Sequence, residues 1–191
     1  ILMYAYQHRL VVNEEDRDIE TTHQYIYSTY ELLVQELKND LTMHSNMLLN
    51  SQKLKEGLYE QDRLKILKLL EPSFKFIQQD NPFLKIMTFR NKEGTTIARL
   101  HRPDLFGDKV HPDRKIIIDT NKEQRVHSGF EVGKLKMTYR LVTPIFYQDT
   151  YIGSLELGVE PEYIIESLKK LGHFKYALLI KEDYTHAAQK L

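Results

Sequence analysis

Hydrophobic positions change their period along the chain, and the changes divide it into tracts. From Asn13 to about Ser51 there is no Gly or Pro. Asn13 is a capping residue type, and Glu14, Glu15 and Asp16 crowd the turn after it, where the helix dipole favours negative charge. Ile19, Ile26, Tyr30, Leu33, Leu37, Leu41 and Leu48 then recur in steps of mainly three and four, with His23 and His44 in the same series. The spacing predicts one long helix with a heptad seam. About 37 residues at 1.5 Å rise make a rod of roughly 55 Å. Such a rod packs along a globular body or meets a copy of itself. A second helical tract is predicted from about Glu60 to Gln79, on Leu64, Ile66, Leu67, Leu69, Leu70, Phe74 and Ile77. Pro72 is expected to kink or divide it near Leu70, and Asp80-Asn81-Pro82 to stop it.

After Pro82 the rhythm becomes that of strands. Phe83–Arg90 and Thr95–His101 read as a hairpin across Asn91-Lys92-Glu93-Gly94. A loop spans Arg102–Asp113, with Pro103, Gly107 and Pro112 as breakers, and a short helix is predicted over Arg114–Lys122. Arg125–Val132 reads as extended. Lys136–Tyr147 and Tyr151–Val159 read as strands paired across Gln148-Asp149-Thr150. Pro161–Leu171 is a helix opened by proline, and Phe174–Ile180 a last strand. The pattern is α+β: a long N-terminal helix on an antiparallel sheet of five or six strands.

Composition narrows the chemistry. The 191 residues carry 41% hydrophobic content, enough for one core with a helical appendage. Lys+Arg and Asp+Glu are 27 each, so no basic excess points to nucleic acid. With no cysteine, disulfides and thiolate metal centres are excluded. No cofactor or metal is expected, because no ligand set converges on the seam residues His23 and His44. The apolar start Ile1–Tyr6 is too short to span a bilayer; residues 1–12 read as a membrane-proximal lead-in or as packing on the body. No GxSxG, phosphate loop or HExxH motif is present, so catalysis by this domain is not expected. Glu131 and Glu156 lie in strands and are expected to pair with cations across the sheet.

One cation stands out. Arg140 lies in the middle of a strand that is otherwise apolar. A buried guanidinium must be paired. Its partner is either internal, with Glu156 the candidate, or the anionic group of a ligand, which Arg binds bidentately. In 97-IARLHRPDLFGD-108, Arg99, His101 and Arg102 cluster at a strand end beside the Pro103–Gly107 loop. They form an anion site if that end abuts the Arg140 strand. Tyr139, Tyr147 and Tyr151 are candidate hydroxyl donors, although alternation puts all three on the face opposite Arg140.

The long helix, the returning hairpin strand, "RLHRPDLFGD" and "GFEVG…YRLVTPIFYQDTYIGSLELGV" together resemble the Cache superfamily of PAS-like extracytoplasmic sensor domains. Those domains occur in bacterial chemoreceptors, sensor histidine kinases and diguanylate cyclases. The resemblance runs from about Asn13 to Leu171. It implies a helical part over 13–80, a ligand-binding lobe over 81–172 and the start of a second lobe over 173–191. Citrate- and C4-dicarboxylate-sensing kinases place a pocket arginine in a strand running into Thr-Pro, as Arg140 runs into Thr143-Pro144. Their Arg-x-x-His cluster is matched at Arg99, but Arg102 stands where the histidine would be and the histidine is His101. The resemblance implies a periplasmic domain of an inner-membrane receptor, binding a small, carboxylate-like anion. It also implies a homodimer through the long helix and transmembrane helices outside this stretch. The competing expectation is a dimerisation or partner-binding module without a small ligand.

Overall fold

The computed structural model of the chain describes residues 2–133 and 136–170, with side chains from residue 17 onward. Helix α1 runs Leu2–Leu49, α2 Gln52–Tyr59 and α3 Arg63–Asp80. Strands β1 (Leu84–Asn91) and β2 (Thr96–Arg99) precede α4 (Lys115–Glu123). Strands β3 (His127–Val132), β4 (Met137–Tyr147) and β5 (Thr150–Val159) lead to α5 (Glu162–Lys169). The five strands form one sheet in the order β2-β1-β5-β4-β3, antiparallel throughout. No helix among the described residues is long and apolar enough to cross a membrane. The strand expected over Phe174–Ile180, and the second lobe with it, lie outside the described residues.

Alternation sorts the sheet into two chemically different faces. Met87, Phe89, Leu141, Ile145, Leu155 and Leu157 point one way and are almost fully buried against Leu37, Leu41, Leu54, Ile66 and Phe74 of the first three helices. Thr88, Arg90, Arg140 and Glu156 are the intervening residues. They point to the other side, where α4 and the loop over residues 100–114 lie.

The long helix departs from expectation in two ways. It begins at Leu2 rather than at Asn13, because nothing in residues 2–12 is a Gly or Pro that would stop it. Its seam also serves two environments. Leu37, Leu41, His44 and Leu48 are buried and Tyr30 and Leu33 are half-buried on the lobe, whereas Ile19 and His23 are exposed. From Tyr30 onward, therefore, the seam packs on the body of its own chain. Ser45 adds a polar key: its Oγ donates to Thr143 Oγ1 of β4 at 2.8 Å inside the core.

Two helical details correct the sequence reading. Helix α2 starts under a Ser51 cap, whose side chain accepts from the Leu54 backbone N–H; the interior Gly57 hides it from a propensity reading. Pro72 does not divide α3, which runs on to Asp80. Burial of Leu70, Phe74 and Ile77 on both sides of the proline offsets the lost backbone bond.

Candidate functional site

The chemistry gathers on the polar face of the sheet, at Glu156. In register, Glu156 of β5 lies between Thr88 of β1 and Val142 of β4. Its carboxylate is 1% exposed and receives three guanidinium groups. Arg90 Nη1 donates to Oε2 at 2.6 Å and Arg114 Nη2 to Oε1 at 2.7 Å, while Arg140 Nη1 donates to Oε1. Arg114 also donates from Nε to Glu131 Oε2 at 2.5 Å, and the Ile116 backbone N–H at the start of α4 donates to Glu131 Oε1 at 3.0 Å. Glu131 Oε2 is 3.6 Å from Arg140 Nε, beyond hydrogen-bond reach. Arg140 thus has the internal partner that the sequence offered as one alternative.

One glycine makes the room for that guanidinium. A Cβ on Gly133 would stand 2.4 Å from Arg140 Nη2.

The cluster is not electrically closed. Three buried or nearly buried guanidinium groups (Arg90, Arg114, Arg140) face two carboxylates (Glu131, Glu156), which leaves one positive charge. Among the described residues, neither buried Arg90 Nε nor buried Arg140 Nε has a hydrogen-bond acceptor. Burial pushes the Glu156 carboxyl up, but Arg90, Arg140 and Arg114 outweigh it and hold it well below the usual carboxylate range. The guanidinium groups stay charged despite burial.

A cleft of about 590 Å³ opens over this floor. Arg90, Arg114, Arg140 and Glu156 form its base, Thr88 and Gly133 line it, and Lys85 and Arg102 stand exposed at its mouth. The volume is in the range of small-ligand sites. The far wall is the loop after β2. Arg99 braces it from inside, donating to the Leu105 carbonyl at 2.8 Å and to both oxygens of Asp108 at 2.7 Å. That bond holds the Asp108 carboxyl below its ordinary value. Arg63 of α3 braces it from outside, donating to the Pro103 carbonyl at 3.2 Å with its guanidinium 4.1 Å from the centre of the Phe106 ring. His101 Nδ1 lies 3.3 Å from the backbone N and O of Met87. Burial lowers the His101 pKa, and Arg99 and Arg102 push the same way against the Met87 backbone bond and Glu156.

Arg99, His101, Arg102 and Arg140 therefore share one cleft. The tyrosines do not join them. Tyr139 is buried on the helical face, edge-on to Phe130, and Tyr147 packs against Tyr59 of α2. Tyr151 corrects the alternation argument. A bulge between Ile145 and Phe146 shifts the register, so that Phe146 pairs with Tyr151 and Ile152 is left over. Tyr151 consequently turns toward α4, where its hydroxyl donates to Asn121 Oδ1 at 2.7 Å, outside the cleft. Arg90 and Arg114, central to the floor, escape the sequence reading. Period-two alternation puts Arg90 on the face of Thr88, but only the β1–β5 register brings that face to Glu156, and Arg114 leaves no local signal because a loop delivers it.

An antiparallel five-stranded sheet, helices on one face and an arginine-floored cleft on the other define a PAS-like sensor domain. The chain belongs to the dCache_3 family, the double sensory domain of two-component sensor kinases, whose pattern matches residues 19–188. Among solved structures it is similar to the sensor domain of DcuS from Escherichia coli, with a TM-score of 0.60 at 15% identity, covering 72% of this chain and 98% of that one. It is also similar to the sensor domain of the Vibrio cholerae histidine kinase DctB, with a TM-score of 0.61 at 12% identity, covering 78% and 58%. A domain assigned to a sensory box/GGDEF family protein of Vibrio parahaemolyticus gives 0.55 at 18% identity, covering 75% and 61%. At these identities the likeness is one of fold. The chain spans about three-fifths of each of the two Vibrio domains. No curated protein matches it in sequence.

Proposed function

We propose that the chain is the extracytoplasmic ligand-sensing domain of a transmembrane signalling receptor of the bacterial inner membrane, and that the cleft takes a small anion of the carboxylate kind. The observation that carries this reading is the uncompensated positive charge on the cleft floor, with two buried guanidinium Nε–H groups lacking acceptors. An anionic ligand supplies both the missing charge and the missing acceptors. Arg140 and Arg90 hold it from below, while Arg102 and Lys85 engage it from the mouth. Arg99 and His101 shape the wall. Movement of β4 on binding reaches α1 through the Ser45–Thr143 hydrogen bond. To switch, the ligand must prefer one of two arrangements of α1, with a coupling of about 1–3 kcal/mol. The domain acts without catalysis of its own. Flanking membrane helices, a second lobe and a cytoplasmic kinase or cyclase output belong to the same proposal.

Calorimetry of the purified chain against carboxylates, amino acids and inorganic anions tests it. One class of anion is expected to bind. Arg140→Ala abolishes binding, and Arg102→Ala weakens it about tenfold, roughly one charge-assisted hydrogen bond, at unchanged Tm. Failure of every compound to bind the wild type, or wild-type affinity in Arg102→Ala, sinks the proposal. The competing reading is a dimerisation or partner-binding module. It draws on the direct Arg140–Glu156 pair, and it is favoured if no compound binds the wild type; an Arg140→Ala chain that unfolds, with ligand binding intact in its folded fraction, makes Arg140 a structural pair and not a ligand contact.

A further inference from the structure

Away from the cleft, on the helical side of the sheet, α1 and α3 bring together a second set of polar groups. Asp40 and His44 stand one turn apart on α1, so both look out from the same side of the helix. Asp80 is the last residue of α3. One carboxylate oxygen of Asp40, one of Asp80 and a ring nitrogen of His44 all lie within 4.8 Å of one another. The sequence treats His44 as a seam residue without converging ligands; the third group is invisible there because it comes from another helix.

Two observations separate this cluster from ordinary surface acids. His44 is 6% exposed, and its buried Nε2 has no hydrogen-bond partner among the described residues, although it lies 3.3 Å from Asp40 Oδ1. Buried ring nitrogens are normally satisfied. In addition, neither carboxylate has a lysine or arginine ion-pair partner among the described residues. The local field is negative: burial first, then Asp40, Glu36 and Asp80, raise the pKa of the nearby Tyr163 phenol on α5.

We propose that Asp40, His44 and Asp80 bind a divalent transition-metal ion of the zinc class, which ties α1 to the C-terminal end of α3. An imidazole with two carboxylates is a borderline donor set that suits zinc, cobalt or manganese rather than magnesium or calcium. Metal bonds of about 2.0–2.2 Å hold neighbouring ligand atoms roughly 3.0–3.5 Å apart. The 3.3 Å between His44 and Asp40 already has that spacing. Asp80 is exposed, so a rotamer change closes the remaining distance. Water completes the coordination. The ion accepts the His44 lone pair and neutralises the two carboxylates, which no lysine or arginine among the described residues pairs. This site is separate from the anion cleft and does not depend on it.

The test is titration of the metal-stripped chain with zinc chloride, read by calorimetry and by the shift in Tm. One equivalent is expected to bind at micromolar Kd or tighter and to raise Tm. Asp80→Asn, a change at an exposed helix end, weakens binding at least about tenfold and removes most of the Tm rise. His44→Ala abolishes both effects, and His23→Ala, at an exposed position, changes neither. Absence of binding at 100-micromolar zinc overturns the proposal. So does wild-type affinity in Asp80→Asn, or loss of binding in His23→Ala. Should His44→Ala fail to fold, Asp80→Asn and Asp40→Asn decide the matter.

Discussion

Glu156 is one carboxylate answering three guanidinium groups, and its surroundings make it the residue on which the polar face depends. Among the described residues, removing its charge leaves buried Arg90 with no ion-pair partner and buried Arg140 with only Glu131, 3.6 Å away. Glu156→Gln is therefore expected to destabilise the domain by about 3–5 kcal/mol, read by urea unfolding at neutral pH. The arginines hold the Glu156 pKa well below the ordinary 4.5. Its ionised form thus contributes stability that is present above that ordinary value and lost as pH falls below it toward the folded pKa. The acid limb of the wild-type stability curve should be steep there and flatter in Glu156→Gln. At this scale Arg140 and its candidate partner are legible in the sequence, because a cation in an apolar strand demands an acid and Glu156 lies in the next strand. The excess of positive charge is not legible. It arises from Arg90 at the end of β1 and Arg114 at the start of α4, which only the fold brings to the same carboxylate.

Elements are legible where their period is strong and opaque where a single residue changes the count. The β1–β2 hairpin and the β4–β5 pair follow from alternation between polar turns. The bulge at Ile145/Phe146 does not, and it alone moves Tyr151 to the other face. The bulge has a companion in Gly153, where an added Cβ would stand 1.9 Å from the Arg90 carbonyl oxygen. At the tip of the same hairpin, Gln148 and Asp149 have φ of 48° and 59°. This two-residue left-handed turn is the geometry that asparagine and glycine adopt most readily. Asp149 is exposed and in no ion pair among the described residues, so Asp149→Gly relieves backbone strain without removing a contact. An increase in stability of up to about 1 kcal/mol is expected, measured as a rise in Tm.

For the whole molecule, the question is what the long helix does beyond its own lobe. The heptad seam offered two uses, packing on a body or on a copy, and the downstream half serves the first. A different stripe of α1 faces outward. Tyr25, Leu32, Met43 and Met47 are each more than half exposed, and they are spaced close to whole turns of the helix. A dimer through α1 would use this stripe. If the chain dimerises through this stripe, Leu32→Lys raises the dissociation constant at least about tenfold in sedimentation equilibrium, with Tm unchanged at low protein concentration. Equal association in the variant would place the contact elsewhere. The contact between the hydroxyls of Ser45 and Thr143 also has a mechanical consequence. Turning α1 about its axis by one residue would strand both groups in a dry interior, whereas leaning it about that point would not. In the proposed signalling, α1 would therefore lean about Ser45 rather than turn. At 1.5 Å per residue the helix runs about 65 Å from Ser45 back to Leu2, so one degree of lean about Ser45 displaces its first turn by roughly 1 Å.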